Sequence, residues 1–311
     1  MPKINISKSI IIKEKPKKIY DIISDFGQWQ TWSPWLLAEP DCKVHTSKNG
    51  SLYHWQGDIV GEGKMRISEK SDKHDYLSAE LEFIKPWKSK SMIYFHLVEK
   101  SEGTEVKWTM DGGLPFFLFW MKKSMEAYIG EDYHRGLGLL KDWIETGKTN
   151  SKIDFLGIQE LEACEFIGIK RKCSTSEMGQ CMEDDFNTLV TECHKNWEKL
   201  ISGFPFSVYH KFDVVKKKAV YTAAIPVISI PDDISSYMIS GKRPALKTYG
   251  LIHLGPYRHI ANGWAALVMH LRAKKFKPSK KYPPIEIYLN SPKDTDELKL
   301  KTEILFPAKL S

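Results

Sequence analysis

The stretch PFFLFWMKKSMEAYIGEDYHRGLGLLKDWIE, residues 115–145, decides the fold of the first half of the chain. Its apolar residues recur at helical spacings, at Phe119, Met121, Met125, Tyr128, Ile129, Leu137, Leu140 and Ile144. This periodicity predicts one long amphipathic helix that closes the first half. The apolar run 115–121 could line a cavity or touch a membrane surface, and the amphipathic continuation favours the cavity.

Upstream of this helix the sequence predicts mainly strands. Residues 4–13 are β-branched and alternating enough for a strand, and Pro16 opens a short helix through Ile23, because proline suits the first helical turn. The aromatic stretch 26–35 follows as a turn or short helix. From 53 to 110, short alternating segments are separated by Gly, Asp, Ser and Lys turns, which is typical of a meandering antiparallel sheet.

Downstream of the helix, the segment GKTNSKIDFLG at 147–157 combines a glycine stop with small and polar residues, as an interdomain linker does. We therefore predict two domains, 1–147 and 155–311, with a linker at 148–154. The second domain repeats the order strand, helix, strand, strand. These elements are predicted at 155–172, 176–201, 206–212 and 219–227, and again at 245–254, 259–275, 284–289 and 303–307. The fold class is α+β, with a pseudo-two-fold β-α-β-β repeat and a central groove in the second domain.

Composition and charge exclude several classes of protein. The 311 residues are 42% hydrophobic and 27% charged, which is ordinary for a globular protein. No apolar run approaches the roughly 20 residues of a membrane span, and no secretory signal begins the chain, so we expect a cytoplasmic protein without a membrane span. The net charge of +7 comes from 40 Lys and 6 Arg against 39 acidic residues. Such a lysine surplus is typical of a solvated surface rather than a nucleic-acid footprint.

The sequence contains no motif for a metal or a nucleotide. Its five cysteines include no C-x-x-C pair, and its ten histidines show no H-E-x-x-H or other paired metal spacing. The phosphate loop, the dinucleotide fingerprint and the nucleophile elbow are also missing from the sequence. We expect reduced thiols, no metal and no cofactor.

Residues 1–147 resemble the polyketide cyclase and START-related superfamily, SRPBCC. The resemblance rests on IIIKEKPKKIYDIISDFGQWQTWSPW at 10–35, GEGKM at 61–65, GTEVKWTMDGGLPF at 103–116 and IGEDYHRGLGLLKDWIE at 129–145. It implies a helix-grip fold, in which a curved antiparallel sheet wraps the long C-terminal helix. In that family the cavity between sheet and helix holds lipids, polyketides or other apolar ligands.

Residues from about 155 to 311 resemble the GyrI-like effector-binding domain of multidrug-sensing regulators. The matching motifs are KTYGLIHLGPYRHIANGWAAL at 247–267, PPIEIYLNSPKDT at 283–295 and KTEILFP at 301–307. In such relatives a glutamate inside an aromatic cavity meets cationic drugs, and Glu286 occupies the matching position. Relatives that regulate transcription carry a helix-turn-helix domain where this chain has its cyclase-like domain, so we expect no direct nucleic-acid binding.

The predicted strand 284–289 carries the chemistry of the second domain. Successive side chains on a strand face opposite ways, so Glu286 and Tyr288 share one face and Ile285 and Ile287 share the other. A carboxylate in an apolar groove is best stabilised by a cation or by a proton. The alternative is a solvent-facing glutamate on an edge strand. The candidate aromatic walls of the groove are Phe206, Tyr209, Tyr221, Tyr249, Tyr257 and Trp264.

In the first domain, Trp32 and Trp35 are either ligand contacts near the cavity mouth or core residues. We predict a small-molecule-binding protein with a cavity in each domain, for hydrophobic or cationic ligands. The GyrI-like resemblance also implies an alternative, a hydrolase that detoxifies hydrophobic, strained electrophiles of the cyclopropane type. In that case Glu286 and Tyr288 would act as acid or base. Another alternative is a ligand-responsive adaptor for a separate transcription regulator.

Overall fold

The computed structural model describes residues 3–113 and 116–309, and Pro115 of the predicted long helix lies outside them. The chain divides into two compact units, Met1–Lys152 and Ile153–Ser311. The boundary between the units falls within the predicted linker 148–154. The last three residues of that linker, 152–154, belong to a strand.

The first unit is one antiparallel sheet with three helices among its described residues. Its strands are β1 Lys3–Ile12, β2 Lys43–Thr46, β3 Leu52–Gln56, β4 Glu62–Lys70, β5 Tyr76–Lys85, β6 Ser89–Lys100 and β7 Gly103–Gly113. Its helices are α1 Pro16–Ile23, α2 Trp29–Trp32 and α3 Lys122–Thr146, the last preceded by a 3-10 helix at Phe116–Met121. The strands are ordered β1-β7-β6-β5-β4-β3-β2 in the sheet.

Helix α3 packs its apolar face on this sheet. Tyr133, Leu137 and Leu140 of α3 share one buried cluster with Phe95 and Trp108 of the sheet. The predicted helix-grip fold is confirmed. The α-helix begins later than the sequence pattern predicts, at Lys122, because residues 116–121 form a 3-10 helix. It ends where predicted, at Gly147, which adopts a left-handed φ of 73°.

The second unit is an eight-stranded sheet with two long helices in its described residues. Its strands are β8 Lys152–Leu161, β9 Cys164–Ser174, β10 Phe206–Asp213, β11 Lys218–Val227, β12 Ile239–Arg243, β13 Leu246–Leu254, β14 Ile285–Tyr288 and β15 Lys301–Pro307. Its helices are α4 Met178–Trp197 and α5 Ala261–Arg272, with short 3-10 turns at Glu198–Leu200, Tyr257–His259 and Glu297–Lys299.

The predicted β-α-β-β repeat is present as β9-α4-β10-β11 and β13-α5-β14-β15. The strand order β12-β9-β11-β10-β14-β15-β13-β8 places the two repeats symmetrically about the central pair β10 and β14. The single predicted strand 155–172 is wrong, because the chain turns at residues 162–163 and forms β8 and β9. Strands β8 and β12 each pair at the outer edge of the opposite repeat.

Both long helices cover the same face of the second sheet. Helix α4 packs on β9 and β11, and α5 packs on β13 and β15. The central strands β10 and β14 therefore present one set of alternate side chains to the groove between the helices. This groove corresponds to the central groove that the repeat predicts.

Candidate functional site

Glu286 lies at the centre of the second sheet. Its strand β14 is paired with β10 on one side and β15 on the other, and Ser207 is its register partner on β10. The Glu286 residue is only 2% exposed. It is therefore a buried residue of a central strand, and the alternative of a solvent-facing glutamate on an edge strand is wrong.

Three neutral groups donate hydrogen bonds to the Glu286 carboxylate. The hydroxyls of Tyr209 and Tyr288 donate to Oε2, over 2.7 and 2.8 Å. The indole Nε1 of Trp264 donates to Oε1. The Tyr288 hydroxyl also lies 3.0 Å from Oγ of Ser207, which is fully buried. Each of the two carboxylate oxygens thus has at least one donor, and none of the three donors carries a charge.

Aromatic rings from both helices enclose this carboxylate. From α4, Phe186 meets Tyr288 edge-on with 5.2 Å between ring centroids. From α5, the Trp264 ring lies 4.7 Å from that of Tyr209. Tyr257, in the turn before α5, lies 5.9 Å from Tyr288. We call Glu286, Ser207, Tyr209, Tyr288, Trp264, Tyr257 and Phe186 the Glu286 cluster.

Burial sets the electrostatics of the Glu286 cluster. Desolvation raises the pKa of Glu286, and the bonds from Trp264, Tyr209 and Tyr288 oppose that rise. Desolvation and the nearby carboxylate raise the pKa of Tyr257 to about 12, so this phenol stays protonated at neutral pH. In the part of the chain that the structure describes, no cationic side chain forms an ion pair with Glu286. The carboxylate is therefore buried without a counter-charge.

This burial makes the stability of the second domain depend on pH. A carboxyl with a raised folded pKa binds its proton more tightly in the folded state, so stability falls as pH rises from about 4.5. Each unit of raised pKa corresponds to about 1.4 kcal/mol. We expect Glu286→Gln to reduce the loss of unfolding free energy between pH 5 and pH 8, measured by urea unfolding. Glu303, whose pKa burial also raises, is present in both proteins, so it cancels from the comparison. An unchanged fall in the variant would contradict the assignment.

Three residues predicted as walls of the groove lie elsewhere. Phe206 pairs with Ile287 in register, so its side chain is on the opposite face of the sheet from Glu286, against Phe166. Tyr221 is on the helix-covered face but donates its hydroxyl to Asp185 over 2.7 Å. Tyr249 stacks on Phe276 and shares a 2.9 Å hydrogen bond with His270. Tyr209, Tyr257, Tyr288 and Trp264 are the predicted aromatic residues that do surround Glu286.

The first domain contains a separate apolar cavity of about 130 Å³ between its sheet and α3. Trp35 lines this cavity together with Trp108 and Tyr133. The other predicted contact, Trp32, is fully buried and packs on Trp29 and Trp108, so it is a core residue outside the cavity lining.

One charged residue, Asp132 of α3, is among the side chains that line this cavity. Its carboxylate accepts from Nε1 of Trp35 over 3.3 Å and from the guanidinium of Arg135 over 2.6 Å. These two donors fix the position of the carboxylate at the cavity wall. The cavity therefore combines mainly apolar walls with one anchored carboxylate, as small-molecule sites commonly do.

Three residues at these two sites were not predicted from the sequence: Phe186, Ser207 and Asp132. Ser207 had a usable signal, because it is two residues from the predicted wall residue Tyr209 and must face the same side of the strand. Phe186 and Asp132 lie on helices, where the sequence pattern does not distinguish a core position from a site position. Only the packing of α4 and α3 places them.

Among the described residues, His, Cys, Asp and Glu form no group of three that could hold a metal ion. None of the helices in residues 3–113 and 116–309 combines the length and apolarity that crossing a bilayer requires.

The two domains match two family models. Residues 157–309 match the GyrI-like small molecule binding domain, and residues 3–145 match the polyketide cyclase / dehydrase and lipid transport family. The chain therefore joins a polyketide-cyclase-like domain to a GyrI-like small-molecule-binding domain, as the sequence motifs predicted. A search of the curated proteins finds no match.

Solved structures show more distant similarity. EcmrR in a DNA complex is 16% identical with a TM-score of 0.44, over 61% of this chain and 67% of that chain. The EcmrR C-terminal domain is 17% identical with a TM-score of 0.41, over 52% and 99%. SAV2435 bound to tetraphenylphosphonium is 17% identical with a TM-score of 0.38, over 50% and 94%.

Proposed function

We propose that this protein binds hydrophobic small molecules in both domains and that the second domain takes a lipophilic cation at Glu286. One observation carries the proposal: the Glu286 carboxylate is buried among neutral donors, with no cationic partner among the described residues. A buried carboxylate in this state is costly, and a cationic ligand would remove that cost by supplying the missing charge.

The aromatic members of the Glu286 cluster support a cation in particular. Tyr209, Tyr257, Tyr288 and Trp264 present ring faces or edges around the carboxylate, and a cation over such a face gains about 0.5–2 kcal/mol. Because Glu286 is covered, a ligand must displace a ring to reach it. Trp264 is the best candidate, since it is only half-buried and its indole occupies Oε1.

For the first domain we propose a smaller, apolar ligand. Its cavity of about 130 Å³ is close to the roughly 150 Å³ of an engineered cavity that admits benzene. A small aromatic molecule of one or two fused rings suits a space of this size. Asp132 offers such a ring one hydrogen-bond acceptor at the cavity wall. Indole, with one ring N–H, is therefore a suitable probe.

Thermal unfolding with three probes tests the proposal. We expect tetraphenylphosphonium, a lipophilic cation, to stabilise the second domain, and indole to stabilise the first. A ligand at 100 times its Kd adds about 2.7 kcal/mol, which is enough to see. A cyclopropane-bearing electrophile, followed by mass spectrometry, tests the hydrolase alternative. A compound that gains the mass of water with the wild-type protein, but not with Glu286→Gln, would favour a hydrolase over a receptor. No stabilisation by either probe would contradict both assignments.

A further inference from the structure

One end of the first-domain sheet exposes three large aromatic side chains. Phe119 and Trp120, in the 3-10 helix between β7 and α3, are 66% and 69% exposed. Trp87, in the connection between β5 and β6, is 47% exposed. The other aromatic residues described in this domain are buried or half-buried, except Tyr128 of α3, which is 44% exposed. Grouped exposed aromatics mark an interaction surface.

The sheet topology brings these residues to the same end of the domain. Strands β6 and β7 are neighbours, and Ser91 lies opposite Gly112 in their register. The chain enters β6 from Trp87 and leaves β7 toward Phe119 only a few residues beyond that pair. Both connections therefore start at the same sheet end. Lys3 of β1 lies there too, opposite Gly113.

Lysines surround the exposed aromatics. Lys3, Lys88, Lys90, Lys122 and Lys123 are all exposed at this end. Three carboxylates at this end pair with lysines: Glu62 with Lys85 at 3.0 Å, Glu82 with Lys64 at 3.2 Å, and Glu126 with Lys122, one of the five, at 3.7 Å. Asp111 accepts from the Asn5 side chain. The surface made by Trp87, Phe119, Trp120 and these five lysines is here called the aromatic–lysine end. Glu80 also lies beside Lys3 and Lys90. Together with Lys64 and Lys85, seven lysines stand against five carboxylates, so the net charge of this end is positive.

We propose that the aromatic–lysine end docks on an anionic lipid surface. Tryptophan and phenylalanine are favourable at the boundary of headgroups and acyl chains, and lysines beside them attract anionic headgroups. Among the described residues, the cations at this end are all lysines. Protein–protein interfaces favour arginine and are depleted in lysine, whereas a lipid surface needs only point charges. The chemistry therefore fits a membrane better than a protein partner.

The cavity of the first domain approaches the same end. Phe83 lines the cavity and is four residues before Trp87 on the chain. A protein docked by this end would thus hold its cavity near the membrane surface. The docking inference does not rest on the ligands proposed above, because it follows from exposure and charge alone.

Sedimentation with lipid vesicles tests this inference on the full chain. We expect the wild-type protein to bind vesicles of phosphatidylcholine mixed with phosphatidylglycerol, and to be released by salt. The double variant Phe119→Ser, Trp120→Ser should lose about tenfold or more in partition. Lys88→Gln and Lys123→Gln should each lose about fivefold, on the anionic vesicles only.

The control variant carries Phe204→Ser and Phe212→Ser, two phenylalanines of the second domain that are 54% and 51% exposed. It should bind vesicles as the wild type does. Wild-type protein that stays in the supernatant would overturn the inference, as would equal binding by the Phe119→Ser, Trp120→Ser variant. Equal binding to pure phosphatidylcholine would overturn the anionic assignment. If light scattering shows a dimer of the wild type that is lost in the Phe119→Ser, Trp120→Ser variant, the surface would belong to a contact with a second copy instead.

Discussion

Glu286→Gln should weaken tetraphenylphosphonium binding by about thirtyfold or more, while the affinity for neutral triphenylphosphine oxide stays nearly constant. The two ligands present similar aromatic rings and differ in charge. Removing one member of a buried charge pair costs about 2 kcal/mol or more, which is the stated thirtyfold. Glutamine keeps the size of the side chain and one carbonyl acceptor for Trp264. Isothermal titration calorimetry of both ligands measures the difference.

Glu303→Gln is the matched control for this experiment. Glu303 is a partly buried carboxyl of β15, paired in register with Ile287, so it faces away from the Glu286 cluster. The same chemical change there should leave both affinities unaltered. If Glu286→Gln retains cation affinity in a folded protein, or if Glu303→Gln loses it equally, the cation site is not at Glu286.

The sequence predicted most of the fold because its signals were periodic. The alternating segments, the long amphipathic stretch and the proline and glycine stops fixed the order of elements in both domains. Strands β8 and β12 were harder to predict. Each pairs with the opposite repeat, and no local pattern reports such long-range pairing.

The site was only partly predictable, for a related reason. Alternation along β14 placed Glu286 with Tyr288, because strand geometry is local. The partner strands and helices decide which aromatic rings approach them. Phe206 and Tyr209 are both aromatic and lie on the same strand, yet their odd separation places them on opposite faces. Trp264 reaches Glu286 because α5 packs on β13 and β15. This contact depends on tertiary packing, which no local sequence pattern reports.

Arg171→Met should destabilise the second domain by about 2–3 kcal/mol, because it leaves the buried carboxylate of Asp185 without its cationic partner. Asp185 of α4 is 1% exposed, and Nε of Arg171 donates to its two oxygens over 2.9 and 2.8 Å. Breaking a buried pair from one side costs about 3–5 kcal/mol. The Arg171 side chain is 41% exposed, so solvent lowers that cost here. The hydroxyl of Tyr221 would be the remaining donor to the carboxylate.

Two further variants show whether the stability loss comes from the unpaired charge of Asp185 or from the lost packing of the Arg171 side chain. Arg258→Met removes the same side chain from an exposed pair with Glu297, and should cost less than about 1 kcal/mol. The double variant Arg171→Met, Asp185→Leu removes both charges and should recover much of the stability. Hydrogen exchange of peptides from α4 and β9 gives the readout, because it resolves one domain from the other.

The same variant connects stability to ligand binding. Phe186 follows Asp185 on α4 and contacts Tyr288, so loosening this helix should also disturb the Glu286 cluster. We expect Arg171→Met to weaken tetraphenylphosphonium binding, and the double variant to restore part of it. A cost no larger than that of Arg258→Met would contradict this account. It would show that the Arg171–Asp185 pair does not hold α4 on the sheet. The apolar side chains of α4, such as Leu189 and Trp197, would then hold the helix there by packing on the sheet.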